Sequence, residues 1–507
     1  MSCDFLVLGG GLAGGLAALK AAEAGLDVVL VKDGTSATSW AQGGIVYRAP
    51  GDPEVLIRDI FEAGAHINNP RTVELVAREA PALVQSWLID KLNVGFDVGS
   101  GGEEELVLEA AHSSARILHT RDSTGRSIQD ALDRQVDSHP NIKTIRGALV
   151  DLLLSDRNAE DPACAYRKTE VMGAYVLLLE DGSGGKQNEI IPLVAAATLI
   201  ATGGYSHLYY HASGPTSSVG AGIAVAQRAG AKILHMEFEQ FHPTCLYIPH
   251  QPRRLLTEAL RGAGAKLLSE SGERFVDELA PRDVVSRAIH DEMLKSQRPH
   301  VWLDLRGIEN FSEKFPAIDA LLKSHDLNAG ADLIPVVPAA HYSIGGIWTD
   351  TTARTSVPRL WAAGEAACTG LHGANRLAST SLLEALYFGE RAATAVIAEI
   401  HELRRHDFVP RAWMAGAEDP DPALILQDWE QLRHTLWNYV GLVRSPWRLR
   451  RAQKILTDLR NETESFYKRS RITPELLKLR HGALVATLIL YAAIRRRHSV
   501  GVHYVVD

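Results

Sequence analysis

The stretch Gly9-Gly10-Gly11-Leu12-Ala13-Gly14 constrains the fold of this chain more than any other. It follows an apolar run at residues 5–8 and opens a helical pattern over residues 12–24, which Gly25 and a second apolar run at residues 28–31 complete. Strand, glycine turn, helix and strand within about 30 residues make one βαβ unit. The spacing fits G-x-G-x-x-G. Glycine is needed there because the backbone must turn tightly and come close to a pyrophosphate, while the helix N-terminus aims N–H groups and a positive dipole end at the phosphates. Alone the motif is weak, with a bare turn as its competitor; its place between strand and helix makes it a dinucleotide site. The second strand of such a unit usually ends in an acidic residue that holds the ribose hydroxyls. Here Lys32 borders the site instead, with Asp33 next. NAD is therefore disfavoured, and the ribose is to be held elsewhere. Glu365, after a late strand-like run in Ala362-Ala363-Gly364-Glu365, is the candidate; an exposed strand-end glutamate is the alternative.

With 507 residues, 46% of them hydrophobic and 22% charged, the chain has the composition of a globular protein with a large core and room for about three domains. A net charge of −8 speaks against broad nucleic-acid binding, and any anion site has to be built locally. Cys3, Cys164, Cys245 and Cys368 lie far apart without a C-x-x-C pair, which excludes clustered zinc or iron–sulfur ligation and suits free thiols in a reducing compartment. The first residues lack a basic signal-peptide region, and the most apolar late stretch, residues 483–494, is too short to cross a bilayer. A cytoplasmic protein without membrane or nucleic-acid partners is expected.

The expected architecture is α/β: a Rossmann-like cofactor domain at 1–234, an inserted α+β capping domain at 235–342, the rest of the cofactor domain at 343–410 and a C-terminal helical bundle at 411–507. Apolar runs at 142–154, 174–179 and 193–201 read as strands, the last returning to the nucleotide sheet. Residues 235–342 read as short helices alternating with loops. A Pro- and acid-containing linker at 410–422 precedes a leucine- and arginine-rich helical region at 424–497.

Five further motifs occur in order: Thr38-Ser39-Trp40-Ala41-Gln42-Gly43-Gly44-Ile45, His242-Pro243-Thr244, Leu256-Thr257-Glu258-Ala259-Leu260-Arg261-Gly262, Ala280-Pro281-Arg282-Asp283 and His372-Gly373-Ala374-Asn375-Arg376. On these the chain resembles the flavoprotein family of succinate dehydrogenase and fumarate reductase, and most closely its aspartate-oxidising branch, over nearly its whole length. The resemblance implies FAD as cofactor, with Gly9, Gly10, Gly11, Leu12, Ala13, Gly14, Lys32, Thr38, Ser39, Ala41, Gln42, Gly43, Gly44, Ala148, Leu149, Glu365, Ser381 and Leu382 around it. Relatives that bind FAD covalently carry a histidine just before the Ala-Gln-Gly-Gly loop. Here Ser39-Trp40 stand there, so non-covalent FAD is implied. Three departures stand out: Gly220-Ala221-Gly222 replaces Gly-Asp-Gly, Ala110-Ala111 replaces a Gly-Gly pair before His112, and His498-Ser499-Val500-Gly501 replaces Glu-Ser-Arg-Gly.

A dicarboxylate needs an anion clamp at each end, and arginine suits a carboxylate because its planar fork gives two parallel charge-assisted hydrogen bonds. The resemblance implies that Arg376, with His341 and Ser379, holds one end and that His242, Thr257 and Glu258 hold the other; for each histidine alone, a structural role is the alternative. Arg282 is implied as the proton shuttle needed when fumarate is reduced. This is awkward for a group that keeps its proton to about pH 12, and a purely electrostatic clamp is the alternative. Glu109 is the candidate reader of the substrate ammonium, against a solvated glutamate after the acidic run 103–105. The implied reaction is oxidation of L-aspartate to iminoaspartate, with hydride passing to flavin N5 and oxygen or fumarate reoxidising the flavin. This would be the first step of NAD biosynthesis, with hand-over of the imine to quinolinate synthase. The alternatives are a soluble fumarate reductase or succinate-oxidising relative, and a non-catalytic FAD-containing RNA-binding protein using Arg495-Arg496-Arg497.

Overall fold

The computed structural model describes residues 1–507 apart from 49–52, 100, 110, 122, 180–188, 405–407 and 415. The βαβ unit forms as the sequence requires: strand Ser2–Leu8, helix Leu12–Glu23 and strand Val28–Lys32. Five parallel strands follow the order Leu360–Ala362, Ile190–Ile200, Ser2–Leu8, Val28–Lys32, Ile142–Leu154. Central parallel strands are covered on both faces, which is why they read as unbroken apolar runs. Strands Ile142–Leu154 and Ile190–Ile200 outrun the parallel sheet, and strand Val171–Leu178 pairs antiparallel with both. Helix Leu12–Glu23 packs against helix Thr380–Leu403 so closely that a Cβ on Gly389 would lie 2.5 Å from the Ala13 carbonyl oxygen.

Within residues 235–342 the expected alternation of short helices and loops gives way to a five-stranded antiparallel sheet, ordered Arg254–Leu255, Glu239–Leu246, Leu333–Ser343, Val301–Asp304, Lys266–Leu268. Two of these strands have only two or three residues, too few to show an alternating pattern in sequence. Helix Arg282–Ser296 packs on strand Glu239–Leu246.

Three helices, Pro422–Val440, Pro446–Arg469 and Pro474–Arg495, pack together beyond. Each begins with proline behind a side-chain cap: Asp421, Ser445 and Thr473 accept the N–H groups of Ala423, Arg448 and Leu476. Proline tolerates that first position because its missing N–H would have no partner there. The apolar stretch expected to be too short for a membrane belongs to a 22-residue helix, long and apolar enough by composition to cross one; 67% of its most apolar window is buried against the other two helices and helix Ala221–Arg228. It is the core helix of the bundle. The segment read as a linker is tied down by bridges Ala159–Pro410 and Glu418–Ser470. The four cysteines are free thiols, three of them buried.

Candidate active site

A cavity of about 780 Å³ opens where the parallel strands end, walled on its far side by residues of the inserted sheet and helix. Its first wall is the glycine turn. A Cβ on Gly9 would stand 2.1 Å from the Ala201 carbonyl oxygen, and one on Gly10 would stand 2.7 Å from the Lys32 side chain. Gly11 faces only Thr38 Oγ1 at 3.2 Å and Ser36 Cβ at 3.6 Å, so what its missing side chain keeps open is the cavity itself. The helix that follows has no side-chain cap at Gly11, which leaves its dipole end to a ligand. Gly14 does not line the cavity; its Cβ would stand 1.9 Å from the Gly9 carbonyl oxygen, so its smallness serves the packing of helix on strand.

From this turn the loop of residues 38–44 runs along the cavity floor. Thr38 Oγ1 accepts the Leu12 N–H at 3.0 Å, and Ser39, Ala41, Gln42, Gly43 and Gly44 all line the space. Gln42 Oε1 is buried without a hydrogen-bond partner, a polar atom left for a ligand to satisfy. A Cβ on Gly43 would meet Glu109 Oε1 and Ser379 Oγ at 3.4 and 3.5 Å. This long strip, a phosphate-type turn at one end and polar groups at the other, fits FAD.

One expected contact is relocated. Leu149 lines the cavity, but Ala148 does not: side chains alternate along a strand, so Gly147 and Leu149 face the cavity while Ala148 packs with Val150, Leu153 and Leu476. Glu365, the candidate for a ribose held away from Lys32, lines the cavity. Its strand is three places along the sheet from Val28–Lys32, about 14 Å at the usual strand spacing, and its Oε1 accepts the Ser343 N–H at 2.8 Å. It therefore stands on the Arg376 side of the cavity. Burial, above all, pushes its carboxyl up to about 7. Lys32 lines the cavity with its stem, its amine turned to Asp133 at 2.8 Å. Ala221, lining the wall where a helix starts, offers no carboxylate, and Ala110 lies outside the described residues.

At the other end the motifs converge. His242 lies on strand Glu239–Leu246 and His341 in a bulge of strand Leu333–Ser343, where the register shifts between Ala340 and Tyr342. A bulge re-aims a side chain, and the two rings come within 5.6 Å. The Thr244 N–H donates to His242 Nδ1 at 3.3 Å, which leaves the ring's proton on Nε2. His341 Nδ1 meets Ser213 Oγ at 3.0 Å. Burial, then Arg282, holds His242 well below the usual histidine range; burial, then Arg376, does the same for His341. Both are neutral hydrogen-bonding rings.

Arg376 is buried, donates from Nε to Gln240 Oε1 at 3.1 Å and from Nη1 to Ser381 Oγ at 3.1 Å, and lies 4.7 Å over the Tyr342 ring. Burial first, then the nearby Arg282, brings its guanidinium down to about 10. Arg282 pairs with Glu258 Oε2 at 2.5 Å, and Arg261 with Glu258 Oε1 at 3.1 Å. Glu258, expected at the substrate, lines the cavity, and both its oxygens face guanidinium groups, whose charges outweigh burial and lower its pKa. Thr257 lines the same wall. Ser379 sits at a positive φ of 56° at the start of helix Thr380–Leu403 and donates to Glu109 Oε2 at 2.6 Å; Ser381 and Leu382 continue the lining. Glu109 is thus in the cavity and not on a solvated face.

Gln240, Ser213, Tyr342 and Glu384 were not singled out in the sequence. Gln240 precedes His242 by two, hence on the same strand face, and Glu384 interrupts an apolar helix face to accept from Tyr342 at 2.8 Å and Thr369 at 2.5 Å. The RNA-binding alternative loses its middle residue: Arg496 pairs with Glu237 at 2.5 Å and packs on Phe238.

The FAD binding domain family matches residues 4–382. An L-aspartate oxidase of Vibrio cholerae is 38% identical over 100% of this chain and 95% of its own length. One of Yersinia pestis is 38% identical over 99% of this chain and 96% of its own. The chain belongs to the L-aspartate oxidase family of FAD-binding proteins. Its fold is shared with a quinol fumarate reductase chain of E. coli, at a TM-score of 0.86 and 25% identity over 100% of this chain and 91% of that one. For the L-aspartate oxidase family member described here, FAD is the cofactor.

Two outcomes test the cofactor wall. Acid precipitation is expected to release yellow flavin into the supernatant, since no histidine precedes Ala41; flavin retained in the pellet contradicts this. Gly11→Val is expected to give folded but colourless protein, and full flavin absorbance in that variant would make the cluster a mere turn.

Proposed function

We propose that this protein oxidises L-aspartate to iminoaspartate with FAD, as the first step of NAD biosynthesis, and that fumarate or oxygen takes the electrons away. The observation that supports it is the convergence of two arginines, Arg282 and Arg376, on one end of the cavity: burial first, then the charge of Arg282, lowers Arg376, and a dianion bound between the two guanidinium groups offsets that. Arg376, with His341 and Ser379, binds one carboxylate. His242 and Thr257 bind the other by neutral donors. When bound, FAD supplies the hydride acceptor beside this end of the cavity. Residues 235–342 act as the cap that keeps water out.

Arg282 moves a proton to the substrate carbon in fumarate reduction. Glu258 holds it from behind and is itself held by Arg261, so charge leaving one guanidinium is compensated by its neighbours. Glu109 takes the substrate ammonium, with Ser379 fixing Oε2; as first acceptor of the ammonium proton it frees the amine lone pair that drives hydride loss. The free thiols suit a cytoplasmic location, where the unstable imine passes to quinolinate synthase. The fumarate reductase likeness favours fumarate as acceptor alongside oxygen.

Arg282→Leu is expected to retain flavin and lose fumarate reduction by about 10²- to 10⁴-fold, the usual worth of a positioned proton donor, while aspartate oxidation survives in part. Undiminished fumarate reduction rules out the shuttle. Glu109→Gln removes a charge-assisted hydrogen bond of roughly 1.5–3 kcal/mol. Aspartate kcat/KM is therefore expected to fall about 10- to 150-fold while succinate binding holds or improves. If both substrates fall together, Glu109 does not read the amine.

A further inference from the structure

We infer that residues 500–507, none of which touches the cavity, form a positioning element that braces the two site arginines at once. This rests on the reading of Arg376 and Arg282 given above. The segment bears first on the loop that carries Arg376. The Val502 N–H donates to the Ala374 carbonyl oxygen at 3.0 Å. Gly501 lies at φ 53°, and a Cβ there would stand 2.3 Å from that same oxygen. Val502 also completes a small core of its own with Phe238, Tyr342, Ile344 and Ala374, on whose edge Val500 packs. Tyr342 is the ring that carries the Arg376 guanidinium. The departure from Glu-Ser-Arg-Gly thus has a local sense: Val500 stands where the pattern has arginine, at an apolar edge.

The same segment bears on the helix that begins with Arg282. The Arg287 guanidinium lies 4.6 Å over the Tyr504 ring and pairs with Asp283 at 2.8 Å, so the contact reaches the first turn, where Arg282 stands. From behind, Arg444 anchors the segment. Its N–H donates to the Tyr504 carbonyl oxygen at 3.0 Å, its carbonyl accepts from Val506 at 2.8 Å, and its buried side chain reaches His503 and the Glu237 carbonyl oxygen. His503 Nε2 meets the Arg496 carbonyl oxygen at 2.8 Å. One anchored segment therefore touches the loop of one arginine and the helix of the other, and it sets the distance a dicarboxylate has to span.

The test uses holoenzyme carrying Gly501→Ala, Tyr504→Ala, Tyr504→Phe and, alongside, Arg376→Leu. A misplacement of about 1 Å in a positioning contact costs up to ~100-fold. Gly501→Ala and Tyr504→Ala are therefore expected to keep flavin at the wild-type ratio while KM for aspartate rises about tenfold or more and kcat falls less. Tyr504→Phe, which keeps the ring under Arg287, is expected to restore KM. An unchanged KM in both alanine variants, with only a lower Tm, overturns the inference, and so does loss of flavin, which would tie the segment to the cofactor. If Arg376→Leu itself leaves KM unchanged, the clamp reading fails; if it raises KM while the segment variants do not, this inference alone fails.

Discussion

At one end of the cavity the guanidinium groups of Arg282 and Arg376 converge, and much of the surrounding structure keeps them there. Like charges in a poorly solvated space repel strongly, and a buried charge is tolerated only when it is paired or hydrogen-bonded. The two arginines are managed differently. Arg282 is balanced by a carboxylate, Glu258, which Arg261 holds in place. Arg376 has neutral supports, Gln240, Ser381 and the face of Tyr342, and burial first, then the charge of Arg282, pulls its pKa down. A site left short of negative charge is a site for an anion.

The fold answers this requirement by bringing the arginines from different layers. Arg376 comes from the loop leading into a helix that packs on the cofactor-binding helix. Arg282 starts the helix that packs on the inserted sheet. The loop of residues 38–44 connects the glycine turn to Glu109 and Ser379, so cofactor and substrate ends share one floor. Neutral histidines suit this division, since a further cation would deepen the repulsion.

A buried polar network stands beside the site. Glu384 accepts from Tyr342 and Thr369 and meets His372 at 3.0 Å; burial would raise its pKa, but His372 and the donors bring it below its ordinary value. Such networks are costly when half-satisfied and rigid when complete. Tyr342 belongs to this network by its hydroxyl and to the arginine site by its ring, and that double attachment fixes the plane on which Arg376 lies.

The cofactor turn, the parallel strands and the helical character of residues 424–497 were legible before the fold was known, because each depends on local rules: the space a Cβ needs and the period of apolar residues. Most of the site residues named from the sequence do line the cavity. What those residues face is set by contacts far apart in the chain. Glu258 and Arg282 are 24 positions apart and Ser379 and Glu109 are 270 apart; no local pattern records such a meeting. The two- and three-residue strands of the inserted sheet were illegible for the same reason, being held by partners and not by their own periodicity. The place of Glu365 was set by strand order, and the face of Ala148 by the pleat. Sequence distance carries no information about either until the sheet exists.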